Sequence, residues 1–242
     1  LIIEELAAKL TLDDAQAQGK LGKFTSKLDR LGDKLQSTGR KFSLFLTVPI
    51  LAAGGAMLKT AADAEETLSK YDAVFSGISK QANAMAKSVS SSFDLSVVKT
   101  KEMMGATGDL LTGFGFTQEM ALDLSKQVTE LGVDLASFTN YAGGAEGAAE
   151  ALTKALLGER EMVKSLGISI LETDVKAKMA QLRAQGMTFT TERQAKAYAT
   201  LLIAQEQSKN AIGDYARTQS SLSNQMRALK QDIIDMSVAI GK

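Results

Sequence analysis

The stretch Leu21-Gly22-Lys23-Phe24-Thr25-Ser26-Lys27-Leu28-Asp29-Arg30-Leu31-Gly32-Asp33-Lys34-Leu35 sets apolar residues alternately three and four positions apart, at Leu21, Phe24, Leu28, Leu31 and Leu35. That 3.5-residue period belongs to a left-handed supercoil, because it keeps one apolar stripe turned towards a partner helix. The alternation continues outward, through Ala17, Asp14, Leu10, Ala7 and Ile3 on one side and Thr38, Phe42 and Phe45 on the other. It returns near the far end at Tyr198, Leu201, Gln205, Ser208, Ile212, Tyr215, Gln219, Leu222, Met226, Leu229, Ile233, Met236 and Ile240. Asp14, Thr38, Gln205, Ser208 and Gln219 are polar seam positions, which cost stability and set register or oligomer number. Thr11 offers a helix start, so the first seam is one helix or two, Ile3–Leu10 and Asp13–Phe42. Gly19, Gly22, Gly32 and Gly39 each weaken it by about 1 kcal/mol relative to Ala. Partner helices would have to supply the difference, and self-association is expected. The plain alternative is an amphipathic helix lying on an intramolecular core.

Composition agrees with helix. Of 242 residues, 45% are hydrophobic but only 5% aromatic, and there is a single Pro. With no His, Cys or Trp, imidazole and thiolate chemistry is excluded, along with disulfides and the usual zinc sites. The 28 basic and 28 acidic side chains cancel, which argues against charge-driven nucleic-acid binding. No specific nucleic-acid partner, cofactor, metal or catalytic residue is expected. The chain opens on Leu1 rather than Met, as a processed product or an excerpt of a longer protein would. Glu4 and Glu5 interrupt the first apolar residues, against a secretory signal.

Between Lys41 and Lys59 lie 17 residues without charge, FSLFLTVPILAAGGAML, from Phe42 through Leu46, Pro49 and Leu51 to Leu58. That is the lower edge of a bilayer span. Pro49 and Gly54-Gly55 argue against a straight spanning helix, so a buried helix–turn–helix is favoured, with a latent membrane segment as the alternative. Gly19-Lys20-Leu21-Gly22-Lys23-Phe24 only superficially resembles a phosphate loop, since two residues instead of four separate the glycines and Phe24 replaces the hydroxyl.

The middle reads as short helices with marked ends. Lys59–Val89 is expected as one helix, Ser96–Leu111 as a second, and a third is capped by Thr117 and ended by Gly132. Asp134–Tyr141 reads as a short turn-like helix and Ala145–Leu157 as an Ala-rich helix ending at Gly158. Arg160–Leu166 stops at Gly167, and Ile168–Ile170 reads as extended. Thr173 and then Thr190 or Thr191 cap the last two helices. Glu102–Glu161 holds ten acids and three bases, and Lys176–Lys230 nine bases and three acids, a segregation that suits contacts between the two regions or between copies. The expected fold is all-α: long coiled-coil-like arms flanking a compact bundle of short helices. The divisions are a heptad arm at 1–41, the apolar segment at 42–58, a helical core at 59–195 and a C-terminal heptad helix at 196–242.

Ala151-Leu-Thr-Lys-Ala-Leu-Leu-Gly158-Glu159-Arg-Glu161-Met-Val-Lys164-Ser-Leu166-Gly167-Ile168 resembles the signature of bacteriophage tail tape measure proteins, in which a helix ends in Gly-Glu-x-Glu followed by Leu-Gly-Ile. Thr47–Ala52 followed by Lys59–Glu66, and Leu131–Ser137 just upstream, resemble the family in the same order. Together the likeness covers about residues 35–200, and it departs at Ala64, where the family often carries an aromatic. It implies a structural, non-enzymatic virion protein that sets tail-tube length during assembly and leaves ahead of the DNA. It also implies self-association as trimer or hexamer. The implied partners are tail tube and tail tip or baseplate proteins, tail assembly chaperones and, on ejection, the host membrane. The implied locations are the tail lumen or tip, the host cytoplasm during assembly and the host envelope on infection. In the turn motif Gly158 reads as a left-handed helix cap, with Glu159 and Glu161 in the next helix's first turn. The competing reading makes either acid a general acid, but two residues apart they face different sides of a helix. A membrane-perturbing pore former is the alternative function, resting on Phe42–Leu58.

Overall fold

In the computed structural model, residues 63–240 and the helical, exposed Ser26 are described, except the side chains of Leu222, Met236, Ser237, Ala239 and Ile240. The first arm from Leu21 to Leu35 and the segment Phe42–Leu58, with Leu46, Pro49 and Leu51, lie outside the described residues. The chain divides into two units at Glu66/Thr67 and at Asn224/Gln225.

Every regular element among the described residues is helical: α1 (63–74), α2 (Ser79–Ser92), α3 (Val97–Gly113), α4 (Gln118–Phe138), α5 (Gly144–Leu157), α6 (Glu172–Ala184), α7 (Glu192–Gln207), α8 (Asp214–Thr218) and α9 (Leu222–Ile240), with 3-10 turns at Ser76–Ile78 and Met162–Leu166. The hydroxyl caps work as expected where a hydroxyl precedes a helix. Ser96 accepts from the Lys99 N–H at 3.4 Å, Thr117 from Met120 at 3.3 Å and Thr191 from Gln194 at 3.1 Å. At Thr191 the Gln194 side chain returns the bond to the Thr191 N–H, closing a capping box.

Several expectations fail for identifiable reasons. Lys59–Val89 is not one helix, because the chain breaks at Phe75–Ile78, where the Gly77 N–H donates to Gln118 Oε1 at 2.9 Å. Gly132 does not end α4, which runs on to Phe138 and takes in most of the short helix expected from Asp134. A Cβ on Gly132 would lie 2.9 Å from the Ala149 nitrogen, so this glycine lets α4 and α5 touch. Thr173 is not a cap: α6 starts two residues earlier, from Leu171, whose N–H donates to Asp174 Oδ2 at 3.4 Å. Ile168–Ile170, expected as extended, lies outside every helix and turn, and Ser169 pairs both backbone groups with the Gln207 amide, at 2.8 and 2.7 Å. The C-terminal heptad is not a single helix over 196–242, since it breaks at Ser208–Gly213 and again at Gln219–Ser221.

The unit Thr67–Asn224 is built around α4. Ala121, Leu122, Leu124, Val128, Leu131, Val133, Leu135 and Ala136 are all buried, nearly all round the helix, as befits a central one. Against it lies the small-residue face of α5, Ala148, Ala149, Ala151, Leu152 and Ala155. Next to both lies α3, which bonds α5 through Thr107 and Thr153 at 2.7 Å and offers Gly105 and Gly108 as a flat notch. Tyr71 rests on the first and Phe75 on the second, with the two rings edge to face at 5.0 Å. The Tyr71 hydroxyl donates to the Ala82 carbonyl at 2.8 Å, and burial holds its phenol well above the ordinary value. In the second unit, Ala228, Leu229 and Val238 of α9 are buried.

Candidate functional site

The turn motif between α5 and α6 is two helix ends in succession. Gly158 takes φ +104 and Gly167 φ +79. Each donates to the carbonyl three residues back while the next residue reaches five back: Gly158 to Ala155, Glu159 to Lys154, Gly167 to Lys164 and Ile168 to Val163, at 3.0 to 3.1 Å. That paired bond is the Schellman arrangement, and the left-handed backbone it needs favours glycine. The expectation for Gly158 holds. The expectation for the two acids does not, because the element that follows is a 3-10 turn with no acid in its first turn. Glu161 is the residue before it, exposed and bonded to Lys164 at 2.7 and 2.8 Å; Glu159 is exposed. The residue between them anchors the turn: Arg160, 14% exposed in its side chain, bonds Glu172 at the start of α6 at 2.8 Å. The guanidinium beside Glu172 pulls its carboxyl below the usual range.

A second cluster joins α4 to the segment after α7, and sequence reasoning missed it. Asp134 Oδ2 accepts from the Gly213 N–H at 2.7 Å and Oδ1 from the Tyr215 N–H at 3.1 Å. One turn along α4, Ser137 Oγ donates to Asp214 Oδ2 at 2.7 Å and accepts from Asn224 Nδ2 at 3.0 Å. The Tyr215 hydroxyl donates to Asp94 Oδ2 at 3.1 Å, and its ring lies 5.7 Å from Phe93. The available signal was an acid in an apolar run, Leu131-Gly132-Val133-Asp134-Leu135-Ala136.

Burial raises the pKa of Asp134, opposed by its two N–H bonds, and burial likewise raises that of Glu130, opposed by Lys126. A carboxyl with a raised folded value binds its proton more tightly folded than unfolded. The stability this brings is full below the ordinary carboxylate range and lost as pH climbs through the folded value. The melting temperature should therefore rise on acidification from neutrality to the top of that range, and Asp134→Asn should flatten the rise. Calorimetry at stepped pH checks it; a steady fall over that window would contradict both shifts.

Of the expected C-terminal seam, Leu229 is buried and Met226 and Ile233 half-buried; the side chains of Leu222, Met236 and Ile240 lie outside those described. A groove of about 410 Å³ opens beside α3 and α5, with Leu110, Phe114 and Leu157 among its lining and Asp109 and Arg193 as charges. Among the described residues no group of three or more acids is placed to hold a metal, and no helix is long and apolar enough to cross a membrane. No family model, curated protein or solved structure matches the chain. Chemically, then, these clusters offer helix termination and the fastening of one segment to another: glycine ends, ion pairs across turns and a carboxylate that holds backbone amides.

Proposed function

We propose that this chain is a structural part of a phage or phage-like tail, a tape measure that sets tube length during assembly and leaves ahead of the DNA at infection. The observation that carries it is the ordered run of family-like stretches ending in Ala151–Ile168. The fold supports a structural role for that run, since both of its glycines close helical segments and both acids stand exposed. The protein would work as a homo-oligomer, trimer or hexamer, inside the tube or at the tip. It would meet tube and baseplate proteins, assembly chaperones during synthesis and the host envelope on release. The charge-free Phe42–Leu58 favours a second reading, a membrane-perturbing protein.

The test is tube length. Four extra heptads inserted into the full-length protein should lengthen the tubes by about 42 Å, at 1.5 Å per helical residue, as measured on negatively stained particles. Tubes of unchanged length would overturn the ruler. Leakage of dye from anionic vesicles caused by the isolated chain, with tube length unmoved, would favour the second reading instead.

A further inference from the structure

The heptad repeat crosses the break between α7 and α9 without losing a position. Gln205, Ser208, Ile212, Tyr215, Gln219 and Leu222 follow at alternating three and four residues, although the helix stops at Gln207 and α9 begins only at Leu222. A turn that merely joins two helices has no need of a helical period. The contacts that hold the chain out of line are mostly polar. Asp134 grips two backbone amides, Arg217 covers the Ile212 and Asn210 carbonyls at 2.9 and 3.0 Å, and Asn224 reaches Ser137. Tyr215 and Ala211 are the buried apolar residues of the segment, while Ile212 stands 47% exposed. Among the described residues from Glu192 to Ile240, only Gly213 has a positive φ, +77.

We propose that residues 208–221 form a releasable strap: bent while Asp134 holds Gly213 and Tyr215, and, once that grip opens, continuous helix that joins α7 to α9. The inference stands apart from the tail assignment, because it needs only the unbroken repeat and the polar fastening. In the bent form Gln205 bonds Gln127 and Asn224 bonds Ser137, two α4 residues about 15 Å apart along that helix. A straight helix sets Gln205 and Asn224 about 28 Å apart. Straightening also lays Ile212, Tyr215, Leu222, Met226 and Leu229 along one stripe, the seam that the repeat specifies.

The chain has no cysteine, so Glu206→Cys and Ser223→Cys give unique spin-label sites on exposed positions. Two variants open the grip from opposite sides. Asp134→Ala removes the acceptor. Gly213→Ala disfavours the left-handed turn and favours helix, and its methyl would meet the guanidinium end of Arg217 at 3.3 Å, loosening that fastening as well. In both, the inter-label distance should gain a component about 10 Å longer than in the parent. Amide exchange should become slow without a gap through 208–213, while α4 and α5 keep their protection. An unchanged distance in both variants overturns the strap. So does fast exchange over 208–221 with a broad distance, because the segment would then simply unfold. Should Asp134→Ala fail to fold, Gly213→Ala decides alone.

Discussion

Gly132→Val should cost about 3 kcal/mol, at the upper end of what overpacking does, and lower the melting temperature by roughly 10 °C for a unit of this size. The added Cβ meets main chain, 2.9 Å from the Ala149 nitrogen and 3.0 Å from its Cα. No rotamer relieves that contact, so α4 and α5 must separate along the most buried face of the unit. Helix propensity alone predicts the opposite sign, because Gly132 lies inside α4 and replacing a glycine in a helix interior gains up to about 1 kcal/mol. Gly132→Ala separates the two cases further, as the propensity gain then offsets part of the overlap and the loss should be smaller than for valine. Thermal melts followed by circular dichroism decide it; a rise in melting temperature for either variant would mean that the two helices do not meet at this residue.

The same residue shows where sequence reading stops. Helix ends made by local chemistry are legible. Thr117 and Thr191 carry a hydroxyl at the right distance from a free N–H, and Gly158 and Gly167 close their helices through neighbours in the chain. Gly132 looks identical to these on paper, but its reason lies 17 residues away on another helix. Asp134 is harder still, since the amides it holds are 79 and 81 residues distant and no spacing marks the pairing. The C-terminal heptad was legible as a period, and its interruption was not. One glycine at 213 is weak punctuation by itself, and it becomes a turn because α4 presents a carboxylate to it. In the family-like turn the glycines were readable and Arg160 was not, because an arginine between two acids resembles a solvated charge cluster until its partner Glu172 is in place.

Phe75→Ala should cost about 3–5 kcal/mol, the range for emptying a fully buried phenylalanine site. Its ring has no exposed surface, meets Tyr71 edge to face and sits over Gly108, where a Cβ would come within 2.3 Å of Cζ. That last distance makes the two positions dependent on each other. Gly108→Ala in the native background must push the ring off the notch and should destabilise by about 1–3 kcal/mol before its helix-propensity gain of about 1 kcal/mol is counted. With Phe75 already shortened to Ala, the same methyl enters the vacated space and the propensity gain stands alone, so Gly108→Ala should become stabilising. The sign reversal corresponds to a coupling of about 1–3 kcal/mol, well above the few tenths seen for independent sites. Phe75→Leu provides the milder background if the alanine variant does not fold, and Gly108→Ala should again be better tolerated there than opposite Phe75. Chemical denaturation of the four members of the cycle measures it. Strict additivity would mean that the ring does not rest on the glycine. Coupling would instead mark α1, α2 and α3 as assembled around one aromatic pair pressed into one notch, in a chain with only 5% aromatic residues.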